Sequence, residues 1–463
     1  MRRWLEPLVL LSNHWLSLSG VVLVTTAGVL SILLLPALLS GKASNPYLGI
    51  LTFLFLPILF FAGLILIPAG MLLNRRRGAA AVPEHLTLQT PAVRRLLTFV
   101  AFTTVVNLLL GSQLTYRAVA YMDTPEFCGA TCHVMQPQAV AHQNASHANV
   151  ECVKCHIGPG AQGYVHAKLN GALQLVSLVA GKYGRPIIAA PGKIPPARDT
   201  CDSCHDPSKQ YGDRLRVLTK YGEDEKSAQA MTVLLMHVGG PAAGIHGAHF
   251  GAGTSIRYAY TDDTLQKIPW IEVRKGGATT AFLEQGAKPG VETALRIKTM
   301  DCQDCHNRPA HTFESPDRAV DKAIARGEIS PSLPFAKKRA LEVLKAAYAS
   351  REEAAAKIPA AYLAFFPQQP SAAQSAKAVR EIWERNVFPA MKVAWGSYPN
   401  QLGHTDSPGC FRCHDEAHVA AGDKKITQDC NACHNMVAVE DAAPKVLTDL
   451  GMQVAKPAAP APK

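Results

Sequence analysis

All twelve cysteines of this chain fall into six pairs, and a histidine follows the second cysteine of every pair. The pairs are Cys128/Cys132 with His133, Cys152/Cys155 with His156, Cys201/Cys204 with His205, Cys302/Cys305 with His306, Cys410/Cys413 with His414, and Cys430/Cys433 with His434. Five read C-x-x-C-H and the first reads C-x-x-x-C-H. This is the attachment signal for c-type haem, so six haem c groups are expected as cofactors. Two sulfurs close together in the chain reach one edge of a porphyrin, and the histidine then binds iron from below the ring. A disulfide scaffold gives no reason for a histidine after every second cysteine. Zinc knuckles come in partnered sets with no fixed adjacent histidine. The extra residue of the first motif must bulge outward to keep both sulfurs in reach. A domain wrapped around six flat groups packs side chains on them rather than building one apolar core, and is expected to unfold without them.

Three apolar stretches precede the motifs. Val21–Leu39, Leu51–Leu73 and Leu96–Leu114 each approach the roughly 20 residues that a bilayer requires. The first is read as a retained helix rather than a cleaved leader, because a second apolar run follows it directly. Arg2 and Arg3 precede the first stretch, only Lys42 follows it, and Arg75, Arg76, Arg77, Arg94 and Arg95 lie between the second and third. Arginine-rich segments stay in the cytoplasm, which places the N-terminus inside and everything after residue 115 outside. A bacterial inner-membrane protein with a periplasmic haem domain is therefore expected. The formal charge of +11 does not indicate nucleic acid, which this compartment lacks. Six haems also bring twelve propionates, which lower the net charge of the oxidised holoprotein to about +5.

Beyond the membrane segment, residues 116–311 hold four motifs. Gly158, Gly160 and Gly163 predict a tight loop after the second motif, and Lys168–Val179 predicts a short helix. Residues 213–300 contain no cysteine. Ile256–Tyr260, Trp270–Val273 and Ala278–Leu283 have the alternation of a small sheet. Residues 312–400 read as a helical spacer, with helices over Lys337–Ala349 and Ala373–Val387. Residues 401–440 form a two-motif C-terminal module, and 441–463 a disordered tail. The expected fold is mainly α with much irregular structure: three transmembrane helices, then a multihaem domain with a small β insert.

An iron held by two histidines is coordinatively full and suits electron transfer. Nine further histidines lie outside the membrane segment: His142, His147, His166, His237, His246, His249, His311, His404 and His418. His147 and His404 lie shortly before a motif, and His311 and His418 shortly after one, so these four are candidate second ligands. His246 and His249 are the candidates in the long insert, with His237 as the alternative. Met135, two residues past His133, offers the first iron a thioether in place of that histidine.

These residues resemble the NapC/NirT family of membrane-anchored multihaem quinol dehydrogenases over about residues 96–311. A helix leads into Cys132, His133 and Met135. Ser146 and His147 precede the second motif, Lys168 follows it, and Cys305, His306 and His311 make C-H-x-x-x-x-H. The resemblance implies that Met135 ligates the first haem, that His311 is distal to the second and His147 to the fourth, and that Lys168 lines a quinol pocket. The family often has one membrane helix and four haems, where this chain has three and six. It also often places an aspartate after the lysine. Here no acidic residue lies between Glu151 and Asp199, and Gln174 is the nearest polar substitute.

The resulting expectation is a cytochrome that oxidises menaquinol or ubiquinol and passes electrons to a periplasmic cytochrome or reductase. A second copy of the chain is kept as a candidate partner. The alternatives are a terminal reductase of a small oxyanion and a non-catalytic haem subunit of a larger respiratory complex.

Overall fold

The 25 residues from Trp15 to Leu39 carry no charge, and a stretch this apolar satisfies its backbone only by coiling on itself. In the computed structural model, helix α1 spans Trp15–Leu39, α2 Leu56–Arg76 and α3 Pro91–Met122. All three are long and apolar enough to cross a membrane. The structure describes residues 14–39, 54–76 and 89–452, apart from 190, 193, 207, 208, 210, 211, 241 and 242. Arg2, Arg3, Lys42, Arg77 and the tail from 453 onward lie outside the described residues. Small residues let α1 and α2 meet closely: a Cβ on Gly20 would stand 2.6 Å from the carbonyl oxygen of Gly63, and Ser17 Oγ donates to Ile67 O at 2.9 Å. The chain divides into two compact units, 1–127 and 128–463. The first therefore extends past the boundary expected at residue 115, because α3 continues to Met122.

The second unit opens with the first motif. Its extra residue is taken up by a π-helical segment, Phe127–Thr131, whose wider turn holds one more residue than an α-turn. A 3-10 turn, His133–Met135, follows, then α4, Gln136–Gln143. Helix α5 spans Gly160–Val179. Gly163, expected in a loop, lies inside this helix, where a Cβ would stand 2.3 Å from Gly158 O. The close backbone approach, rather than a turn, requires glycine there.

The insert is more extensively paired than the sequence suggests. Strands β1 Arg214–Tyr221 and β2 Gln229–Met236 form a hairpin. Helix α6, Gly244–Phe250, follows, and then β3 Thr254–Tyr260, β4 Trp270–Lys275, β5 Ala278–Glu284 and β6 Arg296–Thr299. Tyr258 pairs with Ile271 and Ile271 with Phe282, so one face of β3–β5 gathers a core of Tyr258, Ile271 and Phe282.

Residues 316–386 form four helices: α7 Pro316–Ala325, α8 Ala336–Leu344, α9 Arg351–Leu363 and α10 Ala372–Asn386. The expected two-helix spacer is therefore a bundle with a core of its own. Ser315 Oγ accepts from Arg318 N at 3.3 Å, and Ser350 Oγ accepts from Glu353 N at 3.1 Å, capping the two helices that the sequence reading missed. Val320, Leu344, Ile358, Val379, Ile382 and Trp383 are fully buried, each contributing about 1.5–3 kcal/mol relative to exposure. Lys337 Nζ pairs with Asp321 Oδ1 at 2.8 Å, with both side chains buried. The same carboxylate accepts from Tyr221 N at 3.0 Å, fastening the bundle to β1. The two ends of the bundle are joined as well: Glu314 N donates to Asn386 Oδ1 at 2.8 Å, and Ser315 Oγ donates to Asp406 Oδ1 at 3.0 Å.

Residues 401–440 do not stand apart as a module. Strands β7 His418–Ala420, β8 Lys424–Lys425 and β9 His434–Asp441 complete the two sheets of the insert, in the orders β6-β3-β4-β5-β7-β8 and β1-β2-β9. Nor does the tail begin at 441. Lys445–Asp449 is helical, and Leu447 is buried against Met231 and Val233.

Candidate haem sites

No two of the twelve cysteines are joined in a disulfide, and the residues between them fasten neighbouring motifs to each other. Arg412, between Cys410 and Cys413, donates to Asp304 O at 2.8 Å and to Leu265 O at 2.8 Å. Asp304, between Cys302 and Cys305, accepts from Tyr258 Oη at 2.5 Å and Lys298 Nζ at 2.5 Å. The fourth and fifth motifs are thus strapped together through their own intervening residues, on the buried face of β3. Gly409 precedes Cys410 with φ of +50°, and a Cβ there would collide with Gly403 O.

Electrostatic neighbours among the thiols give the order of the motifs in space. Burial pushes Cys155 up, and Cys201, Cys152 and Cys204 add to it. Burial raises Cys302, followed by Asp202 and Cys201. Cys305 is pushed up to about 11 by burial and then by Cys410, and Cys433 rises through burial and then Cys410. The second to sixth motifs therefore run 2–3–4–5–6, each beside the next, in sequence order.

Histidines from elsewhere in the chain face the motif histidines. Two imidazoles on one metal, with bonds of about 2.0 Å, have ring centres about 6 Å apart. The ring centroids of His156 and His311 are 6.1 Å apart, those of His205 and His147 6.0 Å, those of His414 and His249 5.9 Å, and those of His434 and His404 6.3 Å. His306 has His246 as its nearest electrostatic neighbour. Both His246 and His249 lie on α6, where a spacing of three puts them on one helical face. One short helix thereby serves two motifs.

The second ring nitrogens are held as metal ligands require. Nδ1 of His311 donates to Gln138 O at 3.0 Å, that of His147 to Pro309 O at 3.1 Å, that of His249 to Ile245 O at 2.7 Å, and that of His414 to Thr427 O at 2.8 Å. This leaves Nε2 of each with its lone pair. Burial lowers His249, against the hydrogen bond to Ile245. Burial, opposed by the Gln138 hydrogen bond, holds His311 at about 4. The surrounding protein lowers His156, then His142 lowers it further, although its ring keeps an exposed edge. Cysteine pairs in order and imidazoles paired at this spacing fit haem c at the second to sixth motifs.

Three expectations change. His418 is buried with both nitrogens engaged, Nδ1 with Asp415 Oδ1 at 2.9 Å and Nε2 with Ile268 O at 2.7 Å. Both nitrogens are within hydrogen-bond distance of protein oxygens, so neither is open to an iron. His147 faces His205 of the third motif rather than His306 of the fourth. The expectation that the haem domain lacks an apolar core fails at the bundle. His237 Nδ1 bonds Asp213 Oδ2 at 3.1 Å, and His237 lies within electrostatic range of His434. His142 approaches His311 to 6.0 Å, but its Nε2 bonds Val150 O at 2.9 Å.

At the first motif Met135 packs beside Val134, Phe388 and Tyr398. Lys168 lies on α5 with Nζ 5.0 Å from the centre of the Tyr164 ring, a neighbour the sequence reading missed although a spacing of four on a helix predicts it. Gln174 is exposed. Leu169, Leu173, Val176 and Val179 on the same helix are all more than 60% exposed, an unusual density of apolar side chains for a surface in water.

The sequence profile of the NapC/NirT cytochrome c family, N-terminal region, matches residues 90–186. Cytochrome c-type protein ImcH of Geobacter sulfurreducens is 37% identical over 443 residues, which cover 91% of this chain and 87% of that protein. Cytochrome c-type protein NrfH of Wolinella succinogenes is 29% identical over 92 residues, 19% of this chain and 52% of that protein. Cytochrome c-type protein TorC of Escherichia coli K12 is 29% identical over 168 residues, 30% of this chain and 42% of that protein. No solved structure matches the chain.

Proposed function

Since the chain belongs to the family of membrane multihaem c-type cytochromes that includes ImcH and the NapC/NirT proteins, we propose that it is a six-haem quinol dehydrogenase of the bacterial inner membrane. Haem, when bound, supplies reversible one-electron chemistry. The residues determine where electrons enter, how they travel and where the protons go. The N-terminus is cytoplasmic, and the motifs lie in the periplasm.

The observation that carries the reading is the succession of the second to sixth motifs, each beside the next, four of them with a second histidine facing their own. Such sites are saturated by protein ligands and suit relay rather than substrate chemistry. Met135 would serve the first iron. Lys168 and Tyr164 would receive the quinol head at α5, whose exposed leucines and valines match the apolar tail of a quinol and the lipid surface it comes from. The ammonium of Lys168 orients a quinol oxygen and takes part in passing its protons to the periplasmic side. Gln174 is the polar side chain available one and a half turns further on. Electrons leave near His434 for a periplasmic cytochrome or reductase.

Reduction of the purified protein by a menaquinol analogue, followed by the haem absorbance and then by reoxidation with candidate periplasmic acceptors, tests this reading. Failure of quinol to reduce a fully haem-loaded protein overturns it. A high-spin paramagnetic signal from a site other than the first would favour the terminal reductase instead. Lys168→Leu is expected to lower the rate of reduction by quinol at least tenfold and to leave the dithionite-reduced spectrum unchanged; an unaltered rate removes Lys168 from the pocket.

A further inference from the structure

Arg308 lies in the fourth-motif segment, two residues after His306 and three before His311. Its Nε is buried without a hydrogen-bond acceptor. Its guanidinium stacks 4.4 Å from the centre of the Tyr398 ring. Among the described residues no carboxylate pairs with it, and the phenol of Tyr398 opposes its desolvation. Tyr398 Oη is already committed to Ile187 O at 3.0 Å. Around them stand Phe313, Val134 and Phe388, which offer no acceptor side chain. A guanidinium partly withdrawn from water without an anion is destabilising. Arginine retained in such a position is matched in shape to a carboxylate, which it binds through two parallel N–H groups.

The position narrows the identity of that carboxylate. Arg308 acts electrostatically on His311, whose ring faces His156 of the second motif at 6.1 Å. Gln138, whose backbone carbonyl holds His311 Nδ1, has its own Oε1 buried without a donor. The Gln138 amide bonds Tyr398, so the Nε of Arg308 and the Oε1 of Gln138 are the atoms left without a protein partner at the place where the second haem is expected. Each haem carries two propionates.

We propose that Arg308 is the carboxylate anchor of the second haem site, binding a propionate of the group held by Cys152, Cys155, His156 and His311. This rests on the reading of the motifs as haem sites. Arg308 is a positioning residue in this role: it does not touch iron, but fixes the haem edge and balances its negative charge, which favours the reduced state. Removing the cation therefore favours the oxidised state and lowers the midpoint potential.

The test is spectroelectrochemical titration of the complete, haem-loaded protein and of Arg308→Met, Arg308→Lys and His311→Met. Arg308→Met is expected to shift one titrating component downward by about tenfold in the ferric/ferrous ratio at fixed poise, about 59 mV for one electron. That component is the one that His311→Met also moves. Arg308→Lys, which restores charge without the fork, recovers most of the shift. Pyridine haemochrome counts remain equal in all four proteins. Unchanged potentials with a full haem count, even with lowered thermal stability, would overturn the proposal and leave Arg308 as a stacking partner of Tyr398. A shift in a component that His311→Met does not move would also overturn it. Fewer than six haems in the unmodified protein would instead overturn the reading on which it rests.

Discussion

At the scale of single residues, proximity to a motif is a weak guide to ligation. His311 and His418 both follow a motif histidine closely, but His311 keeps Nε2 available whereas His418 spends both nitrogens on Asp415 and Ile268. The difference arises from strand β7, which sets His418 under β5 as the partner of Glu284. His418→Asn is therefore expected to leave the low-spin spectrum intact and lower unfolding stability by about 1–3 kcal/mol, the cost of stranding buried acceptors. His147→Ala is expected to turn one haem high-spin. Paramagnetic resonance of the two variants checks both outcomes, and a high-spin signal from His418→Asn would restore it as a ligand. The attachment residues were legible because their chemistry is local, confined to five or six positions. The pairing of His147 with His205 was not, because 58 residues separate them and packing alone brings them together.

At the scale of elements, strands β3, β4 and β5 were readable from their apolar alternation. Strands β1 and β2 were not: Leu218 and Thr219 interrupt the alternation of Arg214, Arg216 and Lys220 with Leu215, Val217 and Tyr221, and β2 takes its other neighbour from β9, some 200 residues later. Helices α7 and α9 were missed for a similar reason, since Pro316 and Pro359 break the apparent periodicity although one occupies a first turn. Within the bundle, the Asp321–Lys337 pair is a liability if halved. Burial raises the Asp321 carboxyl, and Lys337 opposes that rise. Lys337→Met leaves a buried carboxylate without its cation and should destabilise the protein by about 3–5 kcal/mol. Adding Asp321→Leu should recover part of this in chemical denaturation. A double variant no better than the single one would show that the tie to Tyr221 N matters more than the charge.

At the scale of the molecule, the adjacency of the second to sixth motifs predicts that electrons pass them in series. Replacing Cys201 and Cys204 by serine is expected to remove one haem and to interrupt quinol-driven reduction of the fourth to sixth sites, while dithionite still reduces them. Stopped-flow spectra of the variant separate these cases, and full quinol reduction would reveal a second route. The four-helix bundle lies outside this series. Its chain leaves after Glu314 and returns by Asp406, and the two ends are bonded to each other from Glu314 N to Asn386 Oδ1 and from Ser315 Oγ to Asp406 Oδ1. A segment that departs and returns at one point is a cassette: it can grow, shrink or be exchanged between relatives without altering the spacing of the sites beside it.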